Sequence, residues 1–313
     1  MELLPVILLF ALGLILTVKG GDYFVDAASW MAEVSGIPKF IVGATIVSIA
    51  TTMPEMIVSV MAALDGKVEM GIGNAVGSVI ANTALIMGIA IFCLPFAINR
   101  KQYIFKMYLL LAAAAVLPLL CRGGALTPLG ASAMLLIFII FILENVHSAK
   151  QQKSTETRAT VSKTMLTSNL VKFALGTVGI ILGARLMVDN GSALARIMGV
   201  PESVIGLTII AIGTSLPELV TMIVSVRKRQ VALSVGNIIG ANIIDLASIL
   251  PVCAFVSGGS LPVAASSLFI DMPVCLLVIS VVMLPTLLTG RFQRWQGAAS
   301  VLLYLTYIIN VAF

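Results

Sequence analysis

The stretch GATIVSIATTMPE, residues 43–55, places a proline and a carboxylate, Pro54 and Glu55, at the end of an otherwise apolar run. The same pattern returns in the second half of the chain as GLTIIAIGTSLPE, residues 206–218, ending in Pro217 and Glu218. A carboxylate in an apolar segment is costly to bury and therefore rare without a function. Two such stretches in one chain predict an internal duplication built around a pair of acidic side chains.

The composition of the chain indicates the solvent in which it folds. Of its 313 residues 59% are hydrophobic and only 11% are charged, and the mean hydropathy is +1.11. Soluble domains have about a quarter charged residues, so this is an integral membrane protein. Ten apolar segments are long enough to cross a bilayer as helices. The predicted spans are 3–33, 38–64, 70–96, 103–121, 126–146, 166–197, 202–226, 231–257, 266–289 and 295–312.

The distribution of Lys and Arg between alternate loops predicts the orientation of these spans. One set of loops holds thirteen of these residues and the other only three, Lys67, Arg122 and Arg196. The richer set comprises Lys39, Arg100, Lys101, Lys106, Lys150, Lys153, Arg158, Lys163, Arg227, Lys228, Arg229, Arg291 and Arg294. We expect this set to face the cytoplasm and both termini to lie outside a cytoplasmic membrane. The net charge of +5 thus reflects topology and indicates no nucleic-acid partner.

The duplication covers most of the chain. When the sequence is shifted by 163 residues, matched pairs of Gly, Pro, Asn and acidic residues appear, among them Gly43 with Gly206 and Asn74 with Asn237. We expect a first five-helix repeat over 1–146, a cytoplasmic linker over 147–165 and a second repeat over 166–313. Because five is odd, the second repeat must cross the membrane in the opposite sense. Inverted repeats are typical of secondary transporters, whose sites lie where interrupted helices meet near the midplane.

The residues around each Pro-Glu pair supply oxygen ligands. A proline frees the carbonyl four residues earlier, here that of Ala50 and that of Gly213. Hydroxyl groups lie in the same turns, on Thr51, Thr52, Thr214 and Ser215. An all-oxygen set with two carboxylates suits a hard cation such as Ca²⁺. A proline kink alone is common in membrane bundles, but a mid-membrane Glu that recurs at the equivalent position favours function.

A second polar cluster follows in each repeat, within GNAVGSVIAN, residues 73–82, and GNIIGANIID, residues 236–245. Spacing of four residues places one polar stripe on each helix, formed by Asn74, Ser78 and Asn82 and by Asn237, Ala241 and Asp245. The glycines of these segments favour close helix packing. Such Asn and Ser residues more often join helices than bind ligands, so the stripes alone do not define a site.

Other residue types exclude several alternatives. The four cysteines are scattered without metal-ligand spacing, and the single histidine, His147, begins the polar linker. The sequence shows no pairing of a nucleophile with a base that would indicate an enzyme. We also expect no cofactor. Asp22, Asp26 and Asp189 lie toward the ends of the long first and sixth spans, where a local ion pair and an entrance site are equally compatible with the sequence.

The two paired motifs resemble the alpha-repeats of the cation/calcium antiporter superfamily, specifically its sodium/calcium exchanger branch of prokaryotic type. The alpha-repeats would cover about residues 43–88 and 206–251. The resemblance implies an all-α membrane fold of ten helices in two inverted five-helix repeats. It also implies that the second, third, seventh and eighth helices enclose the cation sites, while the first and sixth slide across them.

The resemblance implies a role for eleven residues. Glu55 and Glu218 would bind both Ca²⁺ and Na⁺, and Thr51 and Thr214 would complete the Ca²⁺ site. Further ligands would come from side chains and backbone carbonyls around them. Thr52, Ser78 and Ser215 are the implied sodium ligands, Ser48 and Ala211 the carbonyl donors, and Asn82 and Asp245 the flanking polar pair.

The chain departs from the family pattern at three positions, Ala50, Thr52 and Ala241. Ala241 stands where many members place a serine matching Ser78, which puts one sodium site and the stoichiometry in question. Members that exchange protons for calcium usually carry a Glu in this helix, and Ser78 and Ala241 occupy the matching positions here. The expected function is Na⁺/Ca²⁺ antiport that exports Ca²⁺, with a single chain compatible with function. A proton/calcium antiporter titrating Asp245 and, less favoured, a cation channel remain alternatives.

Overall fold

The computed structural model describes residues 3–151, 162–199 and 213–312, and in these ranges it contains ten helices and one two-stranded sheet. Eight helices have the length and hydropathy of membrane spans. The helices are α1 (Leu3–Ser35), α2 (Lys39–Leu64), α3 (Val68–Cys93), α4 (Arg100–Leu120), α5 (Pro128–Gln151), α6 (Lys163–Ile197), α7 (Leu216–Arg227), α8 (Val231–Val256), α9 (Ser267–Thr289) and α10 (Arg294–Ala312).

The expected all-α integral membrane fold of ten helices is confirmed. The predicted helix boundaries lie within a few residues of the observed ones except at the start of α7 and the end of α5. The seventh span was predicted from residue 202, which lies outside the described residues, and the described helix begins at Leu216. Helix α5 continues to Gln151, so the first five residues assigned to the linker 147–165 are helical, and α6 already begins at Lys163. The extra turn is amphipathic and is held by side-chain contacts of Ser148 with Glu144 and of Gln151 with His147.

The internal repeat is visible in the backbone of equivalent turns. Gly36 and Gly199, which the 163-residue shift superimposes, have φ angles of 69° and 79°. Gly66 and Arg229 are likewise equivalent, with φ angles of 75° and 57°. This left-handed conformation is easy for glycine and uncommon for arginine, so the second repeat keeps the turn although its glycine is absent.

Loops predicted to share a membrane side also meet in space. The α4–α5 loop contains β1 (Ala125–Leu126), which pairs antiparallel with β2 (Leu261–Pro262) of the α8–α9 loop. On the other side, Ala97 of the α3–α4 loop bridges Arg291 of the α9–α10 loop. Lys39 donates to Gln230 there as well, at 2.8 Å. The alternation of loops between the two sides is therefore consistent with the predicted crossings.

Helices α1 and α6 contact each other through their backbones along a line of glycines, which we call the glycine seam (Gly13, Gly20, Gly176 and Gly183). A Cβ atom built on Gly176 would lie 2.6 Å from the Phe24 nitrogen, and one on Gly20 would lie 2.8 Å from the Ile180 nitrogen. The repeat shift superimposes Gly13 on Gly176 and Gly20 on Gly183, so the seam is symmetric. Close packing of this kind joins the two helices into one unit.

Adding a methyl group to the glycine seam should destabilise the protein. Gly176→Ala would force α1 and α6 apart, because the contacting atoms are backbone and cannot rotate away; overpacking costs about 1–3 kcal/mol. We expect thermal unfolding in detergent to shift to lower temperature. Gly123→Ala is the control, since no described atom lies within 4 Å of its Cβ position. An unchanged unfolding temperature for Gly176→Ala would contradict the seam.

Candidate functional site

Helices α2, α3, α7 and α8 meet in the interior, and three of them carry a turn of π-helix there. The π-turns span Gly43–Val47 in α2, Ala81–Met87 in α3 and Asp245–Ile249 in α8. Those in α3 and α8 occupy equivalent positions of the two repeats. Each contains a predicted site residue, Asn82 in α3 and Asp245 in α8. A π-turn inserts one residue into an α-helix and is frequent at functional sites because it redirects side chains.

Two carboxylates lie at the centre of these helices. Glu55 and Glu218 are each 1% exposed. Thr52, one helical turn before Glu55, donates to Glu218 Oε1 at 3.4 Å, which brings the α2 and α7 segments together. Among the described residues no hydrogen-bond donor reaches either oxygen of Glu55 or Oε2 of Glu218. A buried charge without a partner is expensive, so this arrangement requires a cation or a proton.

A third carboxylate lies nearby on α8. Asp245 is 1% exposed, and neither of its oxygens has a hydrogen-bond partner in the described part of the chain. The Oδ1 atom of Asn82 is also unpartnered there. Asn82 Nδ2 donates to Asn242 at 3.2 Å, and Asn242 in turn donates to Thr83 at 2.8 Å. These bonds orient the Asn82 amide so that its Oδ1 atom is left available to a ligand.

The two proline motifs differ in backbone structure. In α2 the helix continues through Pro54, with the π-turn Gly43–Val47 upstream of it. In the second repeat, Thr214 and Ser215 form a turn, and α7 begins at Leu216 with Pro217 in its first turn. Proline is favoured at a helix start because its missing N–H has no helical acceptor there. Glu218 therefore lies in the first turn of α7.

The remaining predicted site residues are placed as follows. Ser48, Thr51 and Ser78 are buried in the same region, and Ser215 is buried with an unpartnered hydroxyl group among the described residues. Thr214 is half-buried. Ala211 lies outside the described residues. Hydrogen bonds thus join α2 to α7 through Thr52, α2 to α8 through Thr51 and α3 to α8 through Asn82.

One residue of the site was assigned no role by sequence reasoning. Asn237 of α8 accepts a hydrogen bond from Thr51 at 3.1 Å and donates to Thr221 at 3.0 Å, so it joins α2 to α7. Thr221 donates to the backbone carbonyl of Glu218 at 2.9 Å. Asn74, the repeat equivalent of Asn237, donates to the Glu55 backbone carbonyl at 3.3 Å. The signal was present in the sequence, because Gly-Asn occurs at equivalent positions of both repeats.

The glycines of the Gly-Asn motif explain how α8 approaches α2. A Cβ atom on Gly236 would lie 2.1 Å from the Phe40 carbonyl oxygen, and one on Gly240 would lie 2.7 Å from that of Ala44. Both glycines therefore permit backbone contact, as predicted. For Gly73 and Gly77 no described atom lies within 4 Å of the Cβ position, and their repeat-equivalent partners fall in the undescribed range 200–212.

A cavity of about 470 Å³ lies beside the two proline motifs. It lies between α2, α6 and the start of α7, and it reaches Pro54 and Thr214. Its other lining residues are Met53, Ile57, Val58, Ile181, Ala184, Arg185, Val188, Asp189, Gly213 and Pro217. Its lining includes Pro54 and Pro217, which directly precede Glu55 and Glu218 in the chain, and it lies on the side predicted to be extracellular.

Inverted repeats, interrupted helices and a pair of buried carboxylates are together typical of a secondary transporter. The particular family follows from comparison with known proteins. The sodium/calcium exchanger protein family matches residues 5–146 and 168–313, and the chain belongs to this family. The expected sodium/calcium exchanger branch is confirmed, and the chain is a cation/calcium exchanger and not an enzyme.

Relatives extend over most of the chain. The inner membrane protein YrbG of Escherichia coli is 37% identical over 86% of this chain and 85% of its own length. The sodium/calcium exchanger MaX1 of Methanosarcina acetivorans is 28% identical over 96% of this chain and 97% of its own. The solved structure of the sodium-calcium exchanger NCX_Mj has a TM-score of 0.86 at 27% identity and covers 98% of this chain and 99% of that one.

Removing the Asn237 amide should weaken the contact between α2 and α7. Asn237→Leu leaves Thr51 without its acceptor and Thr221 without its donor, and buried unsatisfied groups cost about 1–3 kcal/mol. We expect a lower unfolding temperature in detergent and a smaller stabilisation by added Ca²⁺. Asn169→Leu is the control, because this exposed residue bonds only to its own helix at Met165. Equal behaviour of the two variants would exclude the bridging role.

Proposed function

We propose that the protein exchanges Na⁺ for Ca²⁺ by alternating access and that downhill entry of Na⁺ expels Ca²⁺ from the cytoplasm. One observation carries this proposal: Glu55 and Glu218 are buried together among hydroxyl groups, and no cationic side chain of the described residues pairs with them. Oxygen-only surroundings with two carboxylates favour Ca²⁺ or Na⁺ over softer metals. The family membership of the chain supports both ions as substrates.

The proposed calcium site consists of both carboxylates with oxygen atoms of Thr51 and Thr214. The sodium ligands would lie around it and share the carboxylates. They would comprise the hydroxyl groups of Thr52, Ser78 and Ser215 and the backbone carbonyls of Ser48 and Ala211. Asn82 and Asp245 would flank the centre. One chain supplies both halves of the site, so a monomer would suffice, with its termini outside a cytoplasmic membrane.

Charge balance would make the exchange obligatory. One Ca²⁺ offsets the two carboxylates completely, whereas more than one Na⁺ is needed to reach similar neutrality. Without a bound cation, the protein would have to pass through its closed state with two uncompensated carboxylates in a medium of low dielectric constant. This costs several kcal/mol per charge. The site would therefore switch between the two sides of the membrane only with ions bound. Each outward step with Ca²⁺ would be followed by a return step with Na⁺.

Asp245 favours a second candidate, a proton/calcium antiporter. Neither of its oxygens has a partner among the described residues, so a proton could occupy the group in place of a cation. The positions where proton/calcium exchangers usually carry a Glu are occupied here by Ser78 and Ala241, which argues for sodium as the coupling ion. A pH gradient imposed without sodium distinguishes the two functions, because only a proton-coupled protein would then accumulate Ca²⁺.

Neutralising either central carboxylate should abolish transport. The measurement is ⁴⁵Ca²⁺ uptake into proteoliposomes loaded with Na⁺ and diluted into sodium-free buffer, with K⁺-loaded vesicles as reference. We expect Glu55→Gln and Glu218→Gln to reduce uptake by at least about a hundredfold, since a buried ligand charge is worth 3 kcal/mol or more. Glu69→Gln, at an exposed site outside the centre, should retain uptake. Substantial sodium-driven uptake by either central variant would refute the assignment.

Restoring a hydroxyl group at Ala241 should strengthen sodium binding. Ala241 is fully buried at the position equivalent to Ser78, so the second repeat offers a methyl group where the first offers an oxygen. One added ligand bond is worth about 0.5–1.5 kcal/mol, so the sodium concentration for half-maximal exchange should fall about two- to tenfold in Ala241→Ser. Ala254→Ser, another buried alanine of α8, is the control. A response identical to wild type would show that position 241 does not face sodium.

A further inference from the structure

A cluster of four charged residues ties α1 to the end of α7 on the side predicted to be cytoplasmic. Lys228 Nζ lies 2.8 Å from Asp26 Oδ1 and 3.3 Å from Asp22 Oδ1, and it donates to the Asp22 carbonyl at 3.1 Å. Arg227 forms an ion pair with the same Asp22 carboxylate. We call this cluster (Asp22, Asp26, Arg227 and Lys228) the α1 latch. None of these residues belongs to the proposed ion site.

Behind the α1 latch, α1 is packed tightly on α7. A Cβ atom on Gly21 would lie 2.8 Å from Val220 Cγ1 and 3.0 Å from Val224 Cγ2. The absence of a side chain at Gly21 thus lets the two helices close completely. On this side of the membrane, the path between α1 and α7 toward the carboxylates is occupied by protein.

The equivalent surfaces of the other repeat are separated. The repeat shift superimposes Gly21 on Ala184 of α6 and Val220 on Ile57 of α2, and both of these residues line the 470 Å³ cavity. The structure is therefore closed at the α1–α7 contact and open at its symmetry equivalent, α6–α2. Sequence symmetry and structural asymmetry together indicate one of two alternating arrangements.

The charges of the α1 latch recur at the open contact with opposite sign. Asp22 is equivalent to Arg185 of α6, and Lys228 is equivalent to Asp65 in the α2–α3 turn. Arg185 lines the open cavity, where it lies 3.9 Å from Asp189 and is 80% exposed. Asp65 is exposed and has no ion pair among the described residues. In the α1 latch the acid is on α1 and the base follows α7. At the equivalent contact the base is on α6 and the acid follows α2.

From this pattern we infer that the protein carries two alternating ionic latches. The α1 latch holds the side that is closed here, and Arg185 with Asp65, the α6 latch, holds the opposite side when α6 closes on α2. The glycine seam joins α1 and α6 into one unit, so closing one contact opens the other. This inference rests on the proposed alternating access. It adds the residues that determine which side the ion site faces.

The latches bias the two states without locking either. Asp26 and Arg227 are more than half exposed, and exposed ion pairs contribute little to stability. Removing one latch should therefore change the ratio of the two states about two- to fivefold. A transporter needs such a small bias, because a strongly favoured state would slow every cycle.

The test measures thiol accessibility at two equivalent reporter positions. Ile57→Cys reports the open contact and Val220→Cys the closed one, each introduced after Cys93→Ser, because Cys93 is the exposed cysteine and the other three are buried. The rate of reaction with a hydrophilic maleimide is measured on purified full-length protein at fixed Na⁺. Lys228→Gln should slow labelling at position 57 and accelerate it at position 220, by about two- to fivefold. Asp65→Asn should produce the opposite pair of changes.

Matched controls separate a latch from general damage. Arg229→Asn removes a neighbouring exposed charge while tolerating the left-handed turn, and Glu69→Gln removes an acid near Asp65; both should leave the two rates unchanged. Asp22→Asn provides a second variant of the α1 latch if Lys228→Gln folds poorly. Parallel changes at both reporters, or none, would overturn the inference. The assay requires no ion flux, so this failure is distinct from a failure of sodium/calcium exchange.

Discussion

The burial of two carboxylates with no counter-charge from the described residues is the constraint on which the rest of the structure depends. Glu55 and Glu218 sit in a membrane interior where an uncompensated charge costs several kcal/mol. A structural ion pair would satisfy them permanently, as Lys106 partly does for Glu144 elsewhere in the bundle. Without such a pair, a bound cation or a proton has to compensate the two carboxylates, so in the proposed mechanism binding and conformational change would share one electrostatic origin.

The duplication solves the problem of placing two such groups opposite each other. One five-helix unit carries one carboxylate on a proline-containing helix, and an inverted copy brings the second to the same depth. Glycines then allow the helix backbones to meet: Gly236 and Gly240 at the α2–α8 crossing, and the glycine seam between α1 and α6. In a bilayer, where the hydrophobic effect does not drive helices together, such close contact is a principal source of packing energy.

The sequence was sufficient to predict the ten helices, their alternation and the two central acids, because hydropathy, charge bias and repeated polar residues are local signals. It was insufficient where the fold depends on contacts between repeats. The two proline motifs look equivalent, yet α2 continues through Pro54 while α7 begins only at Leu216. The sequence places Asn237 on a polar helix stripe, but its role depends on bonds to Thr51 and Thr221 on two other helices. The end of α5 was misplaced because polar composition alone does not end a helix.

The repeated architecture of the two halves also raises the question of why the molecule is asymmetric. Two symmetric repeats joined at a symmetric seam have two equivalent off-centre arrangements, and a midpoint with both sides half open would expose the carboxylates to water from both sides. Gly21 lets α1 pack directly on Val220 and Val224, whereas its equivalent in α6, Ala184, carries a methyl group. In the proposed alternation, such substitutions between the copies would set the energy difference between the two states without altering the ion site.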